Sequence, residues 1–200
     1  TWYSEPRQFL VMDTLTWTPI KSAKTEDFMQ DMAYDYASKE MYGIRVNGGE
    51  SELVTINLEN GEITSVASTG MNFHALACSK EGKLYGMSDD GKLYAIDKTT
   101  AQPDIIAGTG ISDVAYLQSM AFDHNTGRLF WSHTGSQILG DLYEIDPKTA
   151  KVISLGSATY NDSPLEVVGL YSVYTHPTPP DNIEELKAND LKVYTDASKT

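Results

Sequence analysis

The chain has 200 residues, enough for one large domain or two small ones. It carries 15 Lys and Arg against 28 Asp and Glu, and the resulting formal charge of −13 disfavours nucleic acids and anionic membrane surfaces as partners. No apolar run approaches the roughly 20 residues of a membrane-spanning helix, so no membrane insertion is expected. Because Cys78 is the single cysteine, the chain can form neither an intrachain disulfide nor a multi-cysteine zinc site.

An internal repeat is the main feature of the sequence, and its first half is marked by an aromatic residue inside a short apolar patch. The three copies of this residue are Tyr42, Tyr85 and Phe130. The segments around them, MAYDYASKEMYGI, ALACSKEGKLYGM and MAFDHNTGRLFWS, align without a gap, which predicts that Asp35, Cys78 and Asp123 are equivalent. Similar segments that recur at a nearly fixed spacing along the chain are typical of repeat architectures.

A second segment follows each first half and contains an acid or amide at a fixed position. It reads ELVTINLENGEITSVA, KLYAIDKTTAQPDIIA and DLYEIDPKTAKVISLG, and a further copy, QFLVMDTLTWTPIKSA, lies near the start of the chain. The equivalent polar residues are Asp13, Asn57, Asp97 and Asp146. A carboxylate or amide that ends a strand accepts a backbone N–H two residues on, so we expect these four side chains to cap turns.

Each repeat unit is predicted to contain four short strands, because aromatic and β-branched residues alternate with polar ones between glycine-marked turns. The predictions are Phe9–Met12 in the opening half-unit, then Met32–Asp35, Glu40–Ile44, Leu53–Ile56, Ile63–Val66, Lys83–Met87, Leu93–Ile96, Asp104–Ile106, Arg128–Ser132, Leu142–Ile145 and Val152–Leu155. Four strands at this period are typical of propeller blades. The predicted fold class is therefore all-β, a β-propeller of about four four-stranded blades within residues 1–175.

The second segments resemble a broad family of bacterial secreted or surface propellers, seven-bladed and YVTN- or quinoprotein-like, whose blades carry an LY-x-ID-x-x-TG type of signature. Leu93–Thr100 and Leu142–Thr149 carry the resemblance, with Ala101 and Ala150 in place of the final glycine. The resemblance implies a propeller in a secreted, periplasmic or cell-surface bacterial protein. It implies no particular activity.

Two interpretations of the ring stay open. In one, the opening half-unit pairs with a last inner strand predicted at Val167–Tyr174 and closes a four-bladed ring. In the other, which the start in mid-blade favours, the chain is a fragment and another chain completes the propeller. Residues 176–200 are predicted to form a Pro-rich linker and the start of a following module. Within them, Leu191–Tyr194 resembles the opening of the C-terminal sandwich or sorting modules of secreted proteins.

Loop lengths indicate which face of the propeller binds a partner. The hairpins between first and second strands are constant in length, whereas the connections on the opposite face vary, and irregular loops on a rigid scaffold commonly carry binding groups. The candidate binding residues there are Arg45, Asn47, Asn72, His74, Asp89, Asp113, Tyr116, His133, Tyr160 and Asp162. Aromatic rings and amides suit either a carbohydrate or a protein partner.

Motifs for chemistry are weak, and no cofactor or metal is expected. Asp123–Gly127 resembles the start of a calcium loop but lacks its final Glu, so a hairpin turn is the preferred interpretation. Met32, Met120 and Trp131 are expected to pack between blades. The favoured function is a non-enzymatic secreted or cell-surface binding module. A hydrolase or lyase at the channel mouth, near His74 and His133, and a structural spacer are the alternatives.

Overall fold

A computed structural model describes residues 7–13, 15–25, 28–47, 49–115, 117–136, 140–172 and 174. These residues form strands and turns, without a helix among them. The strands are β1 (Arg7–Met12), β2 (Pro19–Thr25), β3 (Met29–Asp35), β4 (Glu40–Asn47), β5 (Glu50–Ile56), β6 (Ile63–Ser68), β7 (Phe73–Cys78), β8 (Leu84–Ser88), β9 (Lys92–Ile96), β10 (Pro103–Gly108), β11 (Ser119–Asp123), β12 (Arg128–His133), β13 (Asp141–Ile145), β14 (Val152–Ser157), β15 (Thr159–Tyr160) and β16 (Ser163–Pro164).

Three four-stranded antiparallel sheets follow one another along the chain. Their strand orders are β3-β4-β5-β6, β7-β8-β9-β10 and β11-β12-β13-β14, while β1 with β2 and β15 with β16 form two-stranded sheets. The first strands of the three large sheets, β3, β7 and β11, lie side by side. Four-stranded sheets whose first strands line a common axis are propeller blades, so the predicted all-β propeller is confirmed as a partial one. We call the three sheets blades 1, 2 and 3 in chain order.

One strand prediction was wrong. The described residues of Val167–Tyr174 are not in a strand. The segment still lies against blade 3, because Ser132 Oγ donates to the carbonyl of Val167 at 2.8 Å and the backbone N–H of Leu170 donates to Ser119 Oγ at 3.2 Å. Hydrogen bonds from side-chain hydroxyls therefore hold this segment in place, whereas we expected the backbone hydrogen bonds of a strand.

The register of blade 2 corrects the gapless alignment. The residues opposite Tyr42, Tyr85 and Phe130 are Ala33, Ala77 and Ala121. Counting from these alanines, Ser79 and not Cys78 is the equivalent of Asp35 and Asp123. The backbone N–H of Ser79 donates to the carbonyl of Lys83, so residues 80–82 form a shorter loop than 36–39 or 124–127. Cys78 instead points into the core between blades 1 and 2 and is 3% exposed.

Two hydrophobic clusters join neighbouring blades. Ile44 and Leu53 of blade 1 pack with Phe73 of blade 2, and Leu93 of blade 2 packs with Trp131 of blade 3. A single blade is too thin to bury both of its faces, so the core exists only where two blades meet.

Of the three residues predicted to pack between blades, two are buried in these clusters and one is not. Met120 and Trp131 are buried there as expected, but Met32 is 42% exposed. Met32 has the same register as Leu76 and Met120, which face the preceding blade. It therefore faces the side of blade 1 where β1 and β2 form a sheet of only two described strands.

A shared turn follows β1 and the third strand of each blade, and it confirms the predicted role of Asp13, Asn57, Asp97 and Asp146. In each copy the side-chain oxygen accepts the backbone N–H two residues on at 2.8–2.9 Å. The backbone carbonyl accepts the N–H four residues on, and that residue has a positive φ. The four residues are Trp17, Gly61, Ala101 and Ala150.

Neighbouring strands decide which residue fits the positive-φ position. Ala101 and Ala150 are fully buried, so their methyl groups pack in the interblade clusters and offset the backbone strain. At Gly61 a Cβ would lie 2.4 Å from the Cβ of Ala23 in β2, so a side chain has no room there. Trp17 is 75% exposed at φ +56° in the turn between β1 and β2.

The exposed turn at Trp17 gives a stability prediction. Glycine adopts positive φ without steric cost, so we expect Trp17→Gly to raise the free energy of unfolding by about 0.5–1 kcal/mol. Urea denaturation followed by circular dichroism measures the change. Leu15→Gly is the control, because Leu15 is also exposed but lacks a positive φ and should lose stability. A less stable Trp17→Gly variant would contradict the strain at this position.

Candidate functional site

One carboxylate joins the three inner strands at the centre of the molecule. Oδ2 of Asp31 in β3 accepts the backbone N–H of Leu76 in β7 at 2.9 Å and that of Met120 in β11 at 3.1 Å, and Oδ1 accepts the N–H of Met32 at 2.9 Å. Met32, Leu76 and Met120 hold the same register position in the three blades. The free edge of an inner strand leaves N–H groups unpaired, and Asp31 therefore satisfies one such group from each blade.

The surroundings of Asp31 also change its acidity. Burial raises the pKa of Asp31 to about 7, although the N–H groups of Leu76 and Met120 and the hydroxyl of Ser119 oppose the rise. Ser119 Oγ lies 3.0 Å from Asp31 Oδ1 and accepts the N–H of Leu170, so the network extends to the segment against blade 3. The folded protein consequently holds a proton on Asp31 more tightly than an unfolded chain would.

A cavity of about 120 Å³ opens towards the C-terminal ends of the inner strands, between β3, β7, β11 and residues 170–172. We call it the channel cavity. Its wall includes Tyr34, Tyr36, Phe122, His124 and Tyr171. The ring of Tyr36 makes edge-to-face contacts with Tyr34 at 4.9 Å and with His124 at 4.7 Å between centroids. The wall is therefore a fixed set of aromatic rings.

Burial shifts the pKa of three side chains that line the channel cavity towards their uncharged forms. Burial and the hydrogen bond with Tyr171 raise the pKa of Tyr36, burial raises that of Cys78 to about 12, and burial lowers that of His124. His124 is 9% exposed, and its Nδ1 has no hydrogen-bond partner among the described residues. His124 thus lines the cavity as a neutral ring, and its Nδ1 atom is buried away from the open space of the cavity.

The face predicted from loop lengths lies at the opposite, N-terminal ends of the inner strands. Three of the predicted residues come together there. Asn72 Nδ2 lies 3.4 Å from Asp89 Oδ2, and His74 Nδ1 lies 3.5 Å from the amide nitrogen of Gln30. Burial lowers the pKa of His74, and the charge of Asp89 partly opposes this effect. His74 in β7 is buried, and its contact with Gln30 in β3 connects the two inner strands.

Three other predicted residues, Arg45, His133 and Asp113, make internal bonds. Arg45 in β4 forms an ion pair with Glu52 in β5, with Nε and Oε2 2.8 Å apart. The buried ring of His133 donates from Nε2 to the carbonyl of Asp113 at 2.6 Å. The carboxylate of Asp113 in turn accepts two hydrogen bonds from Ser136. These side chains therefore hold their own loops in place.

The remaining predicted residues are not joined to these groups by a described contact. Tyr160 is 68% exposed on β15, and Asp162 lies in the turn to β16 with φ +63°. Asn47 is the last residue of β4, but its side chain lies outside the described part of the chain, as does the whole of Tyr116. A binding role for the ten predicted residues stays a prediction.

Sequence reasoning missed Asp31, Tyr36 and His124. A signal for Asp31 existed, because a carboxylate in the apolar inner-strand segment MQDMAYD requires hydrogen-bond donors. Tyr36 and His124 lie in the hairpins between first and second strands, which the sequence alignment predicted to be constant in length and not to carry the binding groups. Their meeting at the channel depends on how the blades are placed around the axis, and a single repeat does not reveal this.

Groups of metal-ligating side chains and membrane-crossing helices were sought among the described residues. No three or more His, Cys, Asp and Glu residues among them are grouped so that they could hold a metal ion. Asp123 instead accepts the N–H of Asn125 at 3.0 Å, as expected for a hairpin turn. The same part of the chain contains no helix long and apolar enough to cross a bilayer.

Comparison with known proteins supports the architecture. No protein-family model matches the sequence, and no curated protein matches it. A chain in the crystal structure of a nidogen/laminin complex matches with a TM-score of 0.57 and 13% identity over 78% of this chain and 59% of that chain. TolB from Acinetobacter baumannii matches with a TM-score of 0.52 and 15% identity over 78% of this chain and 38% of that one.

A protein of unknown function from Bacteroides thetaiotaomicron is also similar, with a TM-score of 0.53 and 14% identity over 67% of this chain and 34% of that chain. At these identities the similarities show the fold alone. This chain spans less than two thirds of the length of each of the three structures. The sheets, their arrangement and these neighbours together define a protein of the β-propeller class.

The raised pKa of Asp31 gives a prediction about pH. Because the folded-state pKa of about 7 exceeds the ordinary value of 3.8, Asp31 stabilises the fold most at low pH and loses this contribution as the pH rises through 7. Between pH 5 and 8 the free energy of unfolding of the wild type should fall by roughly 2–3 kcal/mol more than that of Asp31→Asn. Urea denaturation at both pH values measures the difference.

Two further variants complete this test. Asp31→Ala leaves the N–H groups without their acceptor, and we expect it to lose roughly 2–4 kcal/mol at both pH values. Asp13→Asn, in an exposed turn, serves as the control and should keep the wild-type dependence over this range, which lies above the lowered pKa of Asp13. Identical pH dependence in the wild type and Asp31→Asn would contradict the assignment.

Proposed function

We propose that this chain is a non-enzymatic propeller module that binds a protein partner at the N-terminal ends of its inner strands. We define the loop face by Phe28, Val46, Asn72, Asp89 and Leu117. Phe28 and Leu117 lie just before β3 and β11, and Val46 lies near the end of β4, which runs antiparallel to β3. Asn72 precedes β7 and Asp89 follows β8, so the propeller topology directs all five to one face.

The observation that carries the proposal is the exposure of large apolar residues on this face. Phe28, Val46 and Leu117 are 47%, 46% and 37% exposed. The exposed carboxylates of Asp89 and Asp113 accompany them. Apolar groups surrounded by charge are typical of protein interfaces. The net charge of −13 favours a partner with a basic surface.

The polar side chains of the same face support binding more than catalysis. A hydrolase or lyase needs an acid or base free to meet its substrate. Arg45 is paired with Glu52, His133 is bonded to the carbonyl of Asp113, and His74 lies beside Gln30. Catalytic groups would have to leave these partners first.

Two further considerations bear on the partner and the compartment. One similar structure is that of a complex between two proteins, nidogen and laminin. The repeat signature resembles that of secreted and surface bacterial propellers. We therefore place the protein in the periplasm, outside the cell or at its surface, with a protein rather than a carbohydrate as the preferred partner.

The test uses arrays of purified extracellular proteins and of immobilised glycans, probed with the full chain. We expect saturable binding to a protein, weakened at least tenfold when Phe28, Val46 and Leu117 are all changed to Ser. Trp17→Ser is the matched control, because it removes an exposed apolar side chain from a turn on the opposite face. Binding to glycans alone, or equal loss in the control, would contradict the proposal.

A further inference from the structure

The apolar side chains between blade 3 and blade 1 are less covered than their equivalents elsewhere. Met32 in β3 is 42% exposed, whereas Leu76 and Met120, in the same register, are buried. Leu155 is the bulged residue of β14, as Val66 is in β6 and Ile106 is in β10. Val66 and Ile106 pack against the interblade clusters, but Leu155 is 45% exposed. A further blade between blades 3 and 1 would cover Leu155 on one side and Met32 on the other.

The sheet of β1 and β2 has the position and the form of the outer half of such a blade. A Cβ at Gly61 would lie 2.4 Å from the Cβ of Ala23 in β2, and Lys21 in β2 forms an ion pair with Glu59, so this sheet lies against blade 1. The turn capped by Asp13 identifies β1 as a third strand. The third strands of blades 1, 2 and 3 pair on both sides, but β1 pairs with β2 alone among the described strands. Its other edge can accept one more strand.

The described residues of 167–174 have the position of the innermost part of the same blade. The backbone N–H of Leu170 bonds to the first residue of β11 and the hydroxyl of Ser172 bonds to its last residue, at 3.2 Å in each case. The segment therefore runs in the direction of β11. The ring of Tyr174 lies 5.0 Å from that of Tyr36, which follows β3. The segment thus lies between β11 and β3, as a fourth inner strand would.

The sequence contains a match for the second strand that would join this inner segment to β1. At the start of the second strands of blades 1, 2 and 3, a charged, an apolar and an aromatic residue follow one another, as Glu40-Met41-Tyr42, Lys83-Leu84-Tyr85 and Arg128-Leu129-Phe130. Residues 192–194, which lie outside the described part of the chain, read Lys-Val-Tyr and repeat this order. Tyr194 is also the only Phe, Trp or Tyr after position 174. We infer that residues 192–195 bind the open edge of β1 as the second strand of a fourth blade.

The connection to this strand is long enough, and it favours the chain's own segment over a second copy. Residues 175–191 provide 17 residues between Tyr174 and Lys192. At about 3.3 Å per extended residue they can span roughly 55 Å, more than a hairpin between adjacent strands requires. A tethered segment within reach of its site has a high effective concentration. A second copy would also bring together two chains that each carry a charge of −13.

The register of the other blades predicts which residues face each other. In blades 1 and 2 the residue after the aromatic one pairs with Val54 and Tyr94, which are the equivalents of Leu10. Val54 and Tyr94 are buried, whereas Leu10 is 42% exposed. Thr195 should therefore lie opposite Leu10 and help to cover it, with Tyr194 one position before it.

Cysteine pairs introduced into the full chain test this register. Leu10→Cys with Thr195→Cys should form a disulfide within one chain, because opposite residues of antiparallel strands have Cα atoms about 4.5–5.5 Å apart, a distance that a disulfide spans. Ser22→Cys with Thr195→Cys is the matched control, since Ser22 in β2 pairs with Leu10 and lies one strand farther away, beyond disulfide reach. Cys78 is buried and stays unchanged. Non-reducing gels and peptide mapping by mass spectrometry identify the bridge.

Three outcomes of this experiment would overturn the inference. The absence of a bridge in the Leu10 pair would show that the segment does not reach β1. Equal bridging in both pairs would show that it does not hold a fixed register. A bridge between two chains would assign the edge of β1 to a second copy.

Hydrogen exchange of the backbone amides gives a second measurement that needs no cysteines. A strand paired on one side protects about half of its amides, and a strand paired on both sides protects nearly all of them. We expect nearly all amides of β1 to be protected in the wild type and about half in Tyr194→Ser, with β5 and β9 unchanged. Tyr160→Ser, which removes a tyrosine that is 68% exposed on β15, is the control and should keep the wild-type pattern.

The wild-type exchange decides the matter even where Tyr194→Ser fails to fold. If residues 176–200 instead begin a separate module, β1 in the wild type would protect only about half of its amides, and the inference would be wrong.

Discussion

The inner strands of a propeller present a row of backbone N–H groups that no neighbouring strand pairs, and the structure depends on how these groups are satisfied. Here the carboxylate of Asp31 accepts the equivalent N–H from β3, β7 and β11. This requirement holds three blades at a common height around the axis. It also places an acid where burial raises its pKa, so that the same contact gives the fold its strand alignment and its sensitivity to pH.

Packing between blades builds on this alignment. Each interblade cluster combines one face of a blade with the opposite face of the next, and the aligned alanines opposite Tyr42, Tyr85 and Phe130 keep the strands close. The two ends of the channel then differ in chemistry. One end carries loops whose polar groups bond internally beside exposed apolar residues, and the other carries an open cavity with an aromatic wall. We propose a protein partner for the first end.

Much of the fold could be predicted from the sequence because it is local and repeated. Strand identity and the capping role of Asp97 follow from patterns within one repeat, and the structure confirms both. The shift at Ser79 could not be predicted, because a loop one residue shorter leaves the aromatic spacing almost unchanged. The roles of Asp31 and His124 were also hidden, since each depends on residues from other blades that meet only at the axis.

The turn that ends each third strand differs between blades in the residue that its positive-φ position accepts. Ala101 and Ala150 fit their turns because a neighbouring blade offers a methyl-sized hole, while β2 fills that space at Gly61. Each copy of the turn is thus specific to its place among the blades. A chimera with the turn of blade 2 in blade 1 would place an alanine at position 61, where its Cβ would clash with Ala23. The blades therefore cannot be exchanged for one another, although their sequences share one pattern.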